Sequence, residues 1–571
     1  MALDALRYVS SLARHGLGSF LRQFSGEVTL ADLLARRARE QPEALALEVG
    51  ERRLGYRQLA AIAQTAAARL AELGARRGDV VALVGRSSVG YVAALLGGAA
   101  SGVTLALVHP ELGGAPLREA LSAAGARFVL CESELLGGVQ AATSLPSASF
   151  DSESGAPFGE AASPLQLDPA RGSCDFALVF TSGTTGSPKA CRLPHSRVLA
   201  AACLFGAPLF DFRVTDKLLC VLPLHHGSPL MLGLGACLVT GTPIVLERRF
   251  SASELTTVAR RTGATALLYV GDLARLLLAT PEGPRDREHG LRVAVGNGMA
   301  ADVWERFQKR FGVEQVREFY AATESPVGIL NWAGRVGSVG NLPYAWMFGL
   351  KLARLDGEGE LLRDAKGRLV ECEVGEPGEL LVRARKAGLG VYHGYVDQGA
   401  TEARLVRDAF RPGDALFRTH DILRRDREGY YYFMERGGDS YRFRGENVAI
   451  ATVERELLVT PGVRDALVTG LAIPGYDGRV GLAVLVAEPS FDPQVLEALR
   501  ERLPRTALPR FVRRVTELSR TSSLKLRRRV WAEEGVDPAK VPGPTWALVD
   551  GAYQPLSAET YRDIVTGKKR L

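Results

Sequence analysis

Residues 181–189 read TSGTTGSPK: two glycines, five hydroxyl side chains and one lysine in nine positions. Such a stretch cannot build a core. Its small residues let backbone N–H groups close on an oxyanion, so the chemistry it suits is anion binding. It departs from the common phosphate loop G-x-x-x-x-G-K-[ST], because Gly183 and Gly186 stand too close together and Pro188 precedes Lys189. A competing candidate is Val293-Ala-Val-Gly-Asn-Gly-Met-Ala-Ala301, which matches G-x-G-x-x-A directly after a strand-like run. Glu318 lies 22 residues beyond Gly296, near the place of an acidic ribose ligand in a dinucleotide fold. That reading leaves TSGTTGSPK without a job, and a plain strand-to-helix turn accounts for the same glycines.

The elements that must position these stretches alternate. Leu30 to Glu40 and Tyr56 to Leu73 carry helical spacing, while Asp79–Gly85, Phe128–Cys131, Leu218–Pro223, Thr242–Glu247, Ala266–Val270 and Val293–Gly296 are short apolar runs. Short buried strands between helices predict an α/β fold with largely parallel sheets. Residues 145–174, rich in Ser, Pro, Ala and Gly, read as a surface loop leading into the glycine-rich stretch. Beyond about residue 350 the pattern predicts strands at Gly378–Arg383 and Gly429–Phe433. A compact α+β unit follows: a helix over 448–458, strands near 466–472 and 481–487, and a helix over 493–503. The expected organisation is an amphipathic segment over 1–26, a large domain over 27–435 and a small mobile C-terminal domain over 436–571.

Bulk composition narrows the partners. A chain of 571 residues exceeds one core, and 46% hydrophobic with 24% charged residues describes a globular protein. Seven scattered cysteines, none in C-x-x-C, point to reduced thiols and a cytoplasmic setting, without a disulfide framework or a zinc site. Net charge is +7, and from Arg436 onward 22 Lys and Arg face 17 Asp and Glu. The densest basic run, Lys525-Leu-Arg-Arg-Arg529, lacks interleaved aromatics, which argues against nucleic acid. Val89 to Val108 and Leu218 to Leu246 are long enough to span a bilayer. Their internal glycines and prolines fit a buried helix, a turn and a buried strand better. Leu3, Leu6, Leu12, Leu17 and Leu21 recur near helical spacing among Arg7, Arg14 and Arg22. Such a helix suits either an anionic membrane face or its own protein.

Further polar stretches fall outside any hydrophobic period: Phe319-Tyr-Ala-Ala-Thr-Glu324, Arg418-Thr-His-Asp421, the run from Glu435 to Asn447, and Thr521-Ser-Ser-Leu-Lys525. With TSGTTGSPK they resemble, in order and spacing, the motifs of the adenylate-forming superfamily of acyl-CoA synthetases, adenylation domains and luciferases. The resemblance runs from about residue 28 to the C-terminus. Cys220-Val-Leu-Pro-Leu-His-His226, Phe250-Ser-Ala-Ser, Tyr269-Val-Gly-Asp and Tyr441-Arg-Phe-Arg-Gly-Glu-Asn-Val448 look closest to the fatty acid transport protein, or very-long-chain acyl-CoA synthetase, branch.

The resemblance implies that a carboxylic acid, foremost a long-chain fatty acid, attacks the α-phosphate of ATP, and that CoA then displaces AMP. It implies that Thr181, Ser182, Gly183, Thr184 and Thr185 hold the β- and γ-phosphates with Lys189 nearby. Thr323 would contact the α-phosphate and Glu324 would carry Mg²⁺, a hard cation suited to oxygen ligands. Gly296, Asn297 and Gly298 would form the adenine-side loop, with Gly298 also lining the acyl channel, and Tyr320 would flank the base. Asp421 would accept from the ribose hydroxyls, Arg436 would pair with ribose or phosphate oxygens, and His226 would gate the acyl channel. Lys525 would reach between carboxylate and α-phosphate, offsetting the repulsion of two anions. A hinge about 436–444 would swing it away for the second step.

The sequence departs from the family where Thr-Gly-Asp becomes Thr419-His420-Asp421 and Tyr-Gly-Ala-Thr-Glu becomes Tyr320-Ala-Ala-Thr-Glu324. No charged group is lost, but substrate and acceptor stay open. An aromatic acid, nitrite for diazotisation, and a fatty-acid binding or uptake protein without ligase activity are the alternatives. Peripheral membrane contact and a homodimer are further expectations.

Overall fold

The computed structural model describes residues 8–14, 28–153, 172–182, 188–342, 348–356, 360–388, 390–436, 440–443, 446–474, 476, 479–520 and 526–571. The chain divides into two compact units, one of residues 1–375, 381–419 and 425–432, the other of 376–380, 420–424 and 433–571.

Two sheets build the first unit. Eight strands run in the spatial order 329–331, 315–320, 293–297, 266–270, 218–220, 244–246, 45–49 and 52–55. The six inner strands are parallel and the two edges antiparallel. Leu218–Cys220 and Ile244–Leu246 are buried at every position, as both-faced burial of a parallel sheet requires. Six strands form the second sheet, ordered 147–150, 128–132, 80–84, 104–108, 175–182 and 188–194. Only the last pair is antiparallel. A third sheet orders 350–353, 377–383, 415–425 and 405–407, with 431–436 beside 415–425.

Local sequence explains the helices that cover these sheets. Thr29 and Asp32 close a capping box that starts Leu30–Glu40. Helix Val89–Ser101 is apolar all round and buried up to Ala100; Gly102, at φ +68°, ends it, and Thr104–Val108 follows as a strand. The first uncharged stretch is thus helix, turn and strand. The second runs from strand Leu218–Cys220 through the helical stretch 229–240 to strand Ile244–Leu246. Among the described residues no helix is long and apolar enough to cross a membrane.

Two expectations change, at 147–150 and 493–501. Ser147–Phe150 is an edge strand rather than loop, because its alternation sends Ala148 and Phe150 into the core. Residues 8–14 rest on the protein itself through polar groups: the Tyr8 hydroxyl donates to Leu204 O at 2.7 Å, Ser11 Oγ donates to Asp211 at 2.9 Å, and Arg14 pairs with the same carboxylate at 3.0 Å. Pro493–Glu501 is a 3₁₀ rather than an α-helix. Its buried Leu496 and Leu499 stand three apart, the spacing of that tighter turn.

The second unit has its own core. A sheet ordered 463–471, 480–487, 511–515, 545–549 and 552–555 packs with helices Ile450–Leu458, Arg528–Glu534 and Ala558–Val565. Leu467, Val484, Phe511, Leu548 and Ile564 close that core. All seven cysteines are free; six are buried and Cys174 is half-buried.

Candidate active site

The parallel strands of the eight-stranded sheet end on one edge, the usual ligand crevice of an open α/β sheet. Strand 218–220 leads to His226 and Gly227, 266–270 to Gly271, 293–297 to Gly298, and 315–320 to Thr323 and Glu324. Tyr320 is the buried last residue of its strand. Thr323 and Gly227 touch: a Cβ on Gly227 would lie 2.9 Å from Thr323 Oγ1, so only glycine lets the two loops meet.

Glu324 is 5% exposed. The Tyr395 hydroxyl donates to its Oε1 at 3.0 Å, and Arg404 Nη2 stands 3.7 Å from the same oxygen. Among the described residues nothing hydrogen-bonds Oε2. A buried carboxylate with one oxygen secured suits a hard cation such as Mg²⁺. On the other side of the turn, Arg197 Nη2 donates to the carbonyl oxygens of Thr323 and Ser325. None of Tyr395, Arg404 and Arg197 was singled out by sequence reading. They sit far from Glu324 in the chain, and no period or motif announces them.

The six-stranded sheet supplies the glycine-rich stretch. Strand Asp175–Ser182 pairs with Pro188–Pro194 in the register Thr181 with Lys189 and Ser182 with Pro188. TSGTTGSPK is therefore a hairpin connection; its Gly183, Thr184 and Thr185 lie outside the described residues, as does the Ser182 side chain. Tyr395 is carried to Glu324 by the same hairpin, since segment 394–396 bonds along strand 188–194 through Arg192 N–H to Gly394 O and Val396 N–H to Ala190 O.

The 296–299 loop is held from beneath. Glu318 Oε1 accepts from Met299 N–H at 2.6 Å and from the Tyr269 hydroxyl at 3.1 Å. Burial pushes the Glu318 carboxyl up to about 8. Engaged in this way, Glu318 is a support for the loop and not a ribose ligand, so the dinucleotide fingerprint is resolved as a structural turn. Gly298 takes φ +81°, and a Cβ on Gly271 would fall 1.8 Å from Gly298 O.

His225 and His226 meet at a tilt with ring centroids 4.4 Å apart, and His109 meets His225 edge-on at 5.0 Å. Both ring nitrogens of His225 are buried, and among the described residues neither has a hydrogen-bond partner. Burial first, then the two neighbouring imidazoles, holds His225 well below the usual histidine range, so it is neutral.

Described by itself, the second unit contains Asp421, buried on strand Ala415–Arg425. His420 adopts φ +60° there, which accounts for the family's glycine at this position. Histidine is among the side chains that tolerate that region best. Its N–H donates to buried Glu379 at 2.9 Å, and its Nδ1 stands 3.7 Å from the same oxygen. Arg436 lies on strand Tyr431–Arg436 with its side chain outside the described set, and Lys525 lies outside the described residues.

The chain belongs to the AMP-binding enzyme family: that family's model matches residues 34–396, and the model of its C-terminal domain matches 452–525. Its class is that of AMP-forming acid–CoA ligases, which work with ATP, Mg²⁺ and CoA. The chain is 34% identical over 558 residues to long-chain fatty acid transport protein 1 of Homo sapiens, covering 92% of this chain and 86% of that one. It is 33% identical over 572 residues to the medium/long-chain-fatty-acid–CoA ligase FadD6 of Mycobacterium tuberculosis, covering 98% and 94%. In fold it is similar to ATP-bound MatB from Rhodopseudomonas palustris, with TM-score 0.74, 24% identity and 89% and 99% coverage.

Proposed function

We propose that the protein activates a long- or very-long-chain fatty acid through an acyl-adenylate and passes the acyl group to CoA, releasing AMP and pyrophosphate. The observation that carries this reading is near full-length similarity to relatives named for long-chain fatty acids and their CoA ligation, at 33–34% identity.

The residues take the following roles. Thr181, Ser182, Gly183, Thr184 and Thr185, with Lys189, hold the β- and γ-phosphates by backbone and hydroxyl donors. Thr323 addresses the α-phosphate, and Glu324 would hold Mg²⁺. When bound, Mg²⁺ neutralises phosphate oxygens. Gly296, Asn297, Gly298 and Tyr320 enclose adenine, Asp421 accepts from ribose, and Arg436 binds ribose or phosphate oxygens. His226 walls the acyl channel. Lys525 bridges substrate carboxylate and α-phosphate, lowering the cost of their approach. A pivot at 436–444 then carries the 436–571 domain between two poses, so one site serves two steps.

The reading extends to contact with an anionic inner membrane face through Arg7 and Arg22 of the 1–26 segment, and to a homodimer. Vesicle flotation and light scattering test these two. The central experiment is pyrophosphate release against acids graded by chain length, with aromatic acids and nitrite, each with and without CoA. CoA-dependent turnover that peaks at palmitate or longer supports the reading. Turnover confined to a small acid, with no thioester formed, rejects it.

A further inference from the structure

Arg197 occupies the first turn of helix His195–Ala201, directly after the hairpin strand Pro188–Pro194. Its Nη2 donates to Thr323 O at 2.6 Å and to Ser325 O at 2.5 Å, although 126 and 128 residues separate them. The same nitrogen therefore grips the carbonyls on both sides of Glu324. Among the described residues its buried Nε has no partner, and no carboxylate lies within salt-bridge distance of the guanidinium. Burial lowers the Arg197 pKa, with nearby Cys191 and Glu324 opposing that shift. A guanidinium kept in the interior on two carbonyls is expensive as packing material; apolar residues fill such space at less cost.

We propose that Arg197 is a positioning residue: it fixes the backbone of the Thr323–Ser325 turn so that the Thr323 hydroxyl and the Glu324 carboxylate face the nucleotide together. This rests on the site roles given above. The clamp closes from one side while Tyr395 and Arg404 hold the Glu324 carboxylate from the other, at 3.0 and 3.7 Å. Because the two N–H bonds of one planar amino group must aim at two carbonyls, the fixed plane and the reach of the side chain matter as much as charge. Lysine, a point charge on a flexible stem, does not reproduce it. Sequence and function are linked here through the hairpin, since the strand carrying Lys189 runs straight into the helix carrying Arg197.

The test compares Arg197→Lys and Arg197→Met in the full chain by two readouts. The first is the Mg²⁺ concentration giving half-maximal binding of α,β-methylene-ATP, expected to rise about 10-fold or more in both variants. The second is amide hydrogen exchange of 321–326 in the ligand-free protein, expected to speed up about 10-fold while strands 80–84 and 104–108 stay unchanged. A lysine variant that matches the native Mg²⁺ midpoint would reduce Arg197 to a source of charge and overturn the clamp. Unchanged exchange in both variants overturns it as well. A native protein that binds no Mg²⁺–nucleotide defeats the proposed site roles, and the exchange arm still decides the clamp.

Discussion

The Tyr395 hydroxyl donates to Glu324 Oε1 at 3.0 Å across 71 residues of chain. Tyr395 is in turn tied by its backbone to Cys191 on the hairpin strand. The glycine-rich hairpin and the acidic turn are thus parts of one scaffold, joined through a phenol that neither motif contains.

Removing that phenol should loosen the carboxylate without emptying it. Tyr395→Phe loses one charge-assisted hydrogen bond, worth about 1.5 kcal/mol. The Mg²⁺ concentration at half-maximal pyrophosphate exchange should rise roughly tenfold, with the apparent affinity for the acid within about twofold of native. A titration of Mg²⁺ at fixed ATP decides it; an unmoved midpoint removes Tyr395 from the site.

Two glycines facing each other at the adenine-side loop should respond unequally. Gly271→Ala drives a Cβ to 1.8 Å of Gly298 O and should destabilise the protein by more than about 3 kcal/mol. Gly298→Ala meets nothing closer than Gly271 N at 4.0 Å and carries only the strain of φ +81°, about 1–2 kcal/mol. Thermal unfolding of both variants checks the order, and equal losses would contradict the close approach.

Glu318 and His225 predict opposite pH slopes. Glu318 holds its proton up to about 8 when folded, against roughly 4.3 in an unfolded chain. Its contribution is full below the unfolded value and is lost as pH rises toward the folded one. Glu318→Gln should gain roughly 2–4 kcal/mol on the native protein between about pH 5 and 8. His225 is depressed, so its contribution is present above about pH 6.5 and is lost on acidification. His225→Phe should gain on the native protein as pH falls. Denaturant midpoints across pH measure both, and a flat difference for either variant refutes burial of that charge.

Separating the half-reactions tests Lys525. Lys525→Ala should lower adenylate formation by at least about a thousandfold, the scale of losing a positioned transition-state charge. Thioester formation from supplied acyl-adenylate and CoA should stay within a few-fold of native. Equal loss in both steps would exclude the bridging role.

Much of the α/β layout was legible because buried parallel strands leave unbroken apolar runs. Ala266–Val270 emerged with the predicted limits, and Leu30–Glu40 likewise, since an amphipathic stripe and a capping box mark its face and start. Ser147–Phe150 was hidden by its Ser-Ala-Ser composition, which the edge of a sheet tolerates. In the second unit, hairpin strands Thr545–Val549 and Ala552–Pro555 went unread. At the site, the motif residues were visible through their family pattern, whereas Arg197, Tyr395 and Arg404 act through tertiary contacts that no local spacing encodes. His420 was visible as an anomaly, and its left-handed backbone supplies the reason.

The cysteine distribution makes the molecule a ready-made single-label reporter. Six thiols are buried, and burial pushes Cys131 and Cys220 up to about 12, so in the native state a maleimide meets only Cys174. That residue adjoins the strand that rises from Asp175 to Ser182. A dye placed there sits at the foot of the glycine-rich hairpin and can report nucleotide arrival in an unaltered sequence.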